Sequence, residues 1–409
     1  MLRVAAGALV ALVLGAAGSP VPPGYRTAPD ARPVRTGAVL PGPGTYTDGI
    51  ERGETRSYRV RLDGASNVFL SAVLAPEPGT AVDVVDGLSL SLRTPTGVPC
   101  GAANDIRFYG DTARPVADYV SRRVEPGRDC QEPGEYVFVV EDVGRAQGAP
   151  GRRTVELGYV VEPGPRPGAA PPPAPTAWST RPPAPEAGGG QAHPARGGTG
   201  FNDAAPVGAG TWRDELRPGE SSFYRVPVAW GQQLFAQARF ANATPPPGRS
   251  ALPDGLRLAL YNPARGAVDE RRALYTGAPA TLLLATAPAA YANRTEGTTD
   301  AVSAMRFEGA YYLQLTLDRR APAPVPLALD LTLTPSAEPT GPDPTLRAVG
   351  IAGITTGTVL VAGLGAWPVL VTGRRLPRRL TRRRPWSRPG KRPRGRPGGR
   401  PRGRHAARS

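Results

Sequence analysis

Histidine, lysine and cysteine are nearly missing from this 409-residue chain, and the positions of the few copies exclude whole classes of chemistry. The two histidines are His193, in a Pro/Gly/Ala-rich stretch, and His405, near the C-terminus. The segments that read as folded domains contain none. That removes Ser-His-Asp and Cys-His catalysis and histidine-ligated zinc from them. The one lysine, Lys391, stands in the C-terminal tail, so a Ser-Lys dyad is excluded from the domains too. The cysteines are Cys100 and Cys130 alone, without a CxxC spacing or a neighbouring histidine. In an exported chain such a pair reads as a disulfide. No P-loop, dinucleotide fingerprint or HExxH motif occurs. An enzyme built from these domains would need paired carboxylates of the glycosidase kind. Asp48, Glu54, Asp83, Asp86, Asp214, Glu220 and Asp254 are available for that, but turns favour Asp for backbone reasons.

Charge is missing altogether from Ala348 to Thr372, a run of 25 residues. As a helix it would extend about 37 Å, enough to cross a bilayer core with some tilt. The tail behind it, 373–409, holds 15 Arg and Lys391 and no acid; the net charge of the whole chain is +16, so the remainder sums to zero. Arg374, Arg375, Arg378, Arg379, Arg382, Arg383 and Arg384 crowd the near flank, against Arg347 alone on the other side. The positive-inside rule then places the tail in the cytoplasm, against anionic lipid, and the bulk of the chain outside. Residues 1–18 read as a signal peptide, with Arg3 ahead of an apolar stretch and Ala16-Ala17-Gly18 at the cleavage positions. Lys391-Arg-Pro-Arg-Gly-Arg-Pro397 resembles an AT-hook, but stop-transfer and lipid attraction account for the tail more simply than nucleic acid does. Gly353 and Gly357 have the small-xxx-small spacing of a packed helix pair, a route to an oligomer. Arginine in place of lysine, with abundant Ala, Gly and Pro, is the usage of a GC-rich genome such as an actinobacterium's.

An internal repeat organises the exterior. Gly44-Thr-Tyr-Thr-Asp48 matches Gly210-Thr-Trp-Arg-Asp214, and Tyr58-Arg-Val60 matches Tyr224-Arg-Val226. Asp86-Gly-Leu-Ser-Leu90 matches Asp254-Gly-Leu-Arg-Leu258, and Gly134-Glu-Tyr136 matches Gly309-Ala-Tyr311. Val155, Leu157, Tyr159 and Val161 match Leu327, Leu329, Leu331 and Leu333. The period is far too long for a solenoid and reads as two copies of one domain. The matched blocks alternate apolar and polar residues, the period of a half-buried strand, with Gly, Pro and Asp turns between them. Glu54 and Glu220 recur, as do Arg59 and Arg225, a spacing that suggests a cross-strand salt bridge. The expected organisation is a Pro-rich segment 19–39, a sandwich 40–163, a linker 164–203 that acts as a spacer, a second sandwich 204–336, a stalk 337–347, the span 348–372 and the tail.

The order of these blocks resembles the bacterial pre-peptidase C-terminal domain family. That resemblance implies small jelly-roll-like β-sandwiches, some of which bind calcium, collagen or carbohydrate. The D-L-D-L strand of some relatives is Asp86-Gly-Leu-Ser-Leu90 here, without the second acid, so no metal or cofactor is expected. The fold class is therefore all-β: two tandem antiparallel sandwiches and one C-terminal transmembrane helix. The expected role is non-enzymatic, binding a cell-envelope polymer or a surface protein. Tyr46, Trp212 and Trp230 are the aromatic candidates for ligand contact, although aromatic residues at strand starts more often close a sandwich. The alternatives are an accessory subunit beside a protease or a von Willebrand A-type partner, and a carboxylate-dependent glycan hydrolase.

Overall fold

In the computed structural model the described residues are 24–78, 80–110, 112–144, 151–163, 174–183, 191–294 and 299–334. The expected signal peptide, the span with Gly353 and Gly357, and the arginine-rich tail lie outside them. Among the described residues no helix is long and apolar enough to cross a membrane.

The first copy is built from β1 (Arg32–Pro33), β2 (Val39–Leu40), β3 (Gly44–Ile50), β4 (Thr55–Leu62), β5 (Ser66–Ala75), β6 (Gly87–Arg93), β7 (Asn104–Arg107), β8 (Val116–Arg122), β9 (Gly134–Asp142) and β10 (Arg153–Pro163). The second copy comprises β11 (His193–Pro194), β12 (Ala205–Pro206), β13 (Gly210–Leu216), β14 (Ser221–Val228), β15 (Leu234–Phe240), β16 (Leu252–Tyr261), β17 (Ala267–Tyr275), β18 (Ala280–Ala285), β19 (Gly309–Leu317) and β20 (Val325–Leu333). Each copy is a pair of five-stranded sheets. The orders are β1-β3-β10-β5-β8 and β2-β4-β9-β6-β7, then β11-β13-β20-β15-β18 and β12-β14-β19-β16-β17. Every strand of the second copy occupies the place of the strand ten earlier, so the duplication seen in the sequence is a duplication of topology. Each sandwich has a core of its own, one around Tyr58, Leu90 and Phe138, the other around Tyr224, Leu258 and Leu313.

The repeated blocks prove to be latches. Asp48 accepts a hydrogen bond from the Tyr58 hydroxyl at 3.0 Å, and Asp214 accepts one from Tyr224 at 2.6 Å. Burial raises the pKa of both phenols, and the carboxylate beside each raises it further, so both remain donors. Tyr46 donates to the carbonyl of Gly42 at 2.5 Å, and Trp212 in the matching place donates to Gly208 at 2.8 Å. Tyr136 and Tyr311 do the same to Glu132 and Phe307, again four residues upstream, at 2.6 and 2.9 Å. Such side-chain-to-backbone bonds fix where a strand enters the sandwich. The recurring glutamates do not pair with the recurring arginines: Glu54 pairs with Arg56 at 2.7 Å. Glu54 accepts from the amide of Glu51 at 2.9 Å and Glu220 from that of Arg217 at 3.1 Å, each closing the hairpin turn before its strand. Arg59 instead faces Glu135 at 3.6 Å.

Two expectations about segment boundaries need correction. The linker is not a spacer over its last dozen residues: β11 pairs with β13, Gly198 bridges to Phe223, and Phe201 is buried. The Pro-rich segment 19–39 likewise contributes β1, which pairs in parallel with Tyr46–Thr47. Proline is tolerated there because both short strands lie at sheet edges.

Cys100 and Cys130 form the expected disulfide, tying the loop after β6 to the loop before β9. With a sequence separation of 30, closing this loop is worth about 3–4 kcal/mol in the chain-entropy model. Replacing both cysteines by serine should lower the unfolding free energy of the first copy by that amount in urea titrations.

Candidate functional site

The two sandwiches pack on each other through non-equivalent sheets. The first copy uses the outer face of β3-β10-β5-β8, and the second uses that of β14-β19-β16-β17. Strands at this seam are buried on both faces, so β5 and β19 are almost continuously buried. Alternation toward the core places Val68, Leu70 and Leu74 inside the sandwich, which leaves Phe69 and Val73 pointing at the neighbour. Val73 and Ala117 join Phe201, Ala204, Phe223, Ala259, Tyr261, Ala310 and Tyr312 in one apolar cluster. Phe69 meets Phe307 edge-on, with ring centres 5.0 Å apart. Gly266 has no side chain because a Cβ there would lie 1.9 Å from the Tyr119 ring.

A polar knot crosses this seam. Glu156 stands on β10 with its parity turned outward, and it is fully buried. Its carboxylate accepts from Tyr25 at 3.1 Å, from the Ala28 amide at 2.8 Å and from Asn202 at 2.9 and 3.0 Å, and it pairs with Arg265. Arg265 in turn donates to the side-chain oxygen of Asn202 at 2.9 Å. Four separate stretches of chain therefore meet on one carboxylate. Arg265 is delivered by the turn between β16 and β17. Asn262, wholly buried, accepts from the amides of Ala264 and Gly266 at 3.0 and 2.9 Å, and Arg265 takes a left-handed φ of 67°. Burial by itself would weaken the guanidinium's hold on its proton, but Glu156 outweighs it and the pKa is raised.

Beside the knot lies a cleft of about 520 Å³, walled by both copies. Asp30, Thr45 and Ser71 come from the first copy's side, Arg225 and Tyr312 from the second, and Phe201 with Asn202 from the former linker. This mixture of hydroxyls, opposite charges and aromatic edges is the lining of a small polar-ligand site. Sequence reading missed it because each half lies on a different copy. The signal that could have found it is Phe69, Val73 and Tyr312, apolar residues on the parity that should face water.

The predicted site residues lie elsewhere. Tyr46 is 0% exposed within the first core, Trp212 is half-buried against the second, and Trp230, 6% exposed, packs edge-on against Tyr291. Asp86 and Asp142 come close together at one end of the first sandwich, but both are buried and are held by Arg52 and Arg153. Burial pulls Asp86 upward, yet the Asp83 amide and Arg52 hold it below the usual carboxylate range. The cationic partners there are this chain's own guanidinium groups.

Glu156→Gln would leave Arg265 buried without a counter-charge, and the loss should be about 3–5 kcal/mol, read from the urea midpoint. Asp118, on β8, accepts from the amides of Tyr119 at 2.8 Å and Ala267 at 3.2 Å across the seam. Burial pushes its pKa up to about 6. The folded state thus holds this proton more tightly than the unfolded chain, whose Asp titrates near 4. Stability contributed by this group is present below about pH 4 and is lost as pH rises toward about 6. Asp118→Asn should abolish that loss, so the variant gains on the parent in thermal melts at pH 7 and not at pH 4.

No protein-family profile and no curated protein matches this chain. Among solved structures, the pre-peptidase C-terminal domain of collagenase from Bacillus anthracis is similar over 30% of this chain and 95% of its own, at 15% identity and a TM-score of 0.19. The tandem CBM22-1-CBM22-2 domain of Paenibacillus barcinonensis Xyn10C covers 72% of this chain and 94% of its own, at 10% identity and a TM-score of 0.18. The CUB1-EGF-CUB2 domain of human MASP-1/3 covers 70% and 99%, at 8% identity and a TM-score of 0.18. The chain thus has weak structural neighbours among β-sandwich domains, a pre-peptidase C-terminal domain included, and the likeness carries no argument about a ligand.

Proposed function

We propose that this is a non-enzymatic surface protein that holds a cell-envelope ligand in the cleft between two fused sandwiches, anchored by the apolar run 348–372 with its arginine-rich tail in the cytoplasm. The observation that carries the reading is the cleft of about 520 Å³, walled by both copies and floored by the Glu156–Arg265 knot. A site shared between two bodies is rigid only if the bodies do not move, and the buried seam supplies that rigidity. The sandwiches contain no lysine and a single histidine, His193, exposed on the edge strand β11; this and the buried, arginine-neutralised acids support binding over catalysis. The uncharged run and the basic cluster after it support membrane anchoring.

The test is retention of residues 24–336 on purified cell-wall sacculi and, separately, capture from solubilised membranes followed by mass spectrometry. Saturable retention on sacculi is expected, reduced at least tenfold by the double variant Asp30→Asn, Arg225→Gln with the melting temperature unchanged. Retention that ignores the double variant would remove the cleft as the site. Capture of one membrane protein, with no binding to sacculi, would make the chain an accessory subunit.

A further inference from the structure

On the seam there is a second cavity, of about 420 Å³, that the proposed cleft does not use. It is lined by Tyr109, Thr112 and Arg114 from the first copy and by Arg257, Thr316 and Arg320 among others from the second. Arg114 is 5% exposed, and among the described residues it has no hydrogen bond and no ion pair; its guanidinium stands 5.7 Å from the ring centre of Phe108. An arginine does not escape such burial by releasing its proton in the neutral range. A buried guanidinium without a counter-charge is costly, and an anion from outside would relieve it.

The surroundings sharpen this. Arg257, 3% exposed, is held by Glu270 at 2.9 Å and reaches the carbonyl of Tyr109 at 3.4 Å. Its charge and burial both work against Arg114, whose pKa is lowered to about 9 by burial first and by Arg257 second. Arg320 is paired with Asp318 at 2.8 Å, and Arg272 lies over the Tyr109 ring at 5.0 Å and 3.8 Å from Asp254. Arg249 stands at the rim. Among the described residues, Asp254, Glu270 and Asp318 stand beside these arginines, and none of the three is bonded to Arg114. Tyr109 is 50% exposed and takes a left-handed φ of 49°, so an aromatic face is presented at the mouth in a conformation that costs energy to hold.

We propose that this cavity binds the phosphate monoester of a sugar-sized ligand, with Arg114 as the charge that the phosphate neutralises and Tyr109 as the surface on which the sugar ring rests. A phosphate monoester carries about −1.5 to −2 at neutral pH and would supply the counter-charge that Arg114 lacks. The guanidinium fork matches phosphate oxygens in pairs. A cavity of this volume admits a molecule of about that size.

The test is calorimetric titration of the full chain, in detergent at low ionic strength, with glucose 6-phosphate, inorganic phosphate, glucose and glucuronate. Glucose 6-phosphate should bind and raise the melting temperature, inorganic phosphate should bind about tenfold more weakly, and glucose should not bind. Arg114→Gln should weaken glucose 6-phosphate at least 30-fold while leaving the unliganded melting temperature equal or higher, because it removes an unpaired buried charge. Tyr109→Ala should weaken glucose 6-phosphate and leave inorganic phosphate unchanged. Absence of binding by either phosphate, or binding untouched by Arg114→Gln, overturns the proposal. So does glucuronate binding as tightly as glucose 6-phosphate, and so does a fall in the unliganded melting temperature of Arg114→Gln, which would make Arg114 a structural group.

Discussion

A carboxylate and a guanidinium taken out of water together cost several kcal/mol per ion unless their mutual attraction and further hydrogen bonds offset it. The seam meets that condition at Glu156 and Arg265. Tyr25, the Ala28 amide and Asn202 fill the remaining lone pairs of the carboxylate, and the Asn262 turn holds Arg265 in place. The N-terminal segment, β10, the end of the linker and the second sandwich all meet at this point. Their relative placement rests on this ion pair together with the apolar cluster around Phe201 and the Arg294–Glu162 pair, and the cleft beside the knot depends on that placement.

The contact is between non-equivalent faces of a duplicated domain, and the two copies have diverged accordingly. Phe69 and Val73 on β5 face the seam, while Phe235 and Arg239 hold the same places on β15, where Arg239 pairs with Asp330. The reverse change occurs on the other sheet. Ser57, Ser91 and Arg93 of the first copy correspond to Phe223, Ala259 and Tyr261 of the second, all of which join the seam cluster. A sheet that meets water keeps polar residues on its outer parity, and one that meets a neighbour exchanges them for apolar ones.

Burial divides the charged groups of this molecule by role. Asp86 and Asp142 are buried with guanidinium partners at the end of one sandwich, where they close it. Arg114 is buried to a similar degree without such a partner. Its guanidinium borders an open cavity rather than a core, so a counter-charge from outside has room beside it.

The sequence by itself determined the class of the fold and most of its parts. Period-two blocks at matched spacing dictated strands, their recurrence dictated two sandwiches, and Cys100 with Cys130 dictated the disulfide, because strand pleat and loop closure are local properties. The latches made by Tyr46, Trp212, Asp48 and Asp214 were visible as recurring letters, though not as hydrogen bonds. Their closing role followed from strand position. The pairing of the two copies was decided only in three dimensions. Glu156 and Arg265 are 109 residues apart in the chain, and nothing in either neighbourhood marks the other. Phe201 and Asn202 read as linker because their local composition is rich in Gly and Ala. Tertiary contact converted them to core and clasp. Arg114 was one arginine among 49 until packing left it only 5% exposed without supplying an acid, which is a property of its surroundings rather than of the residue.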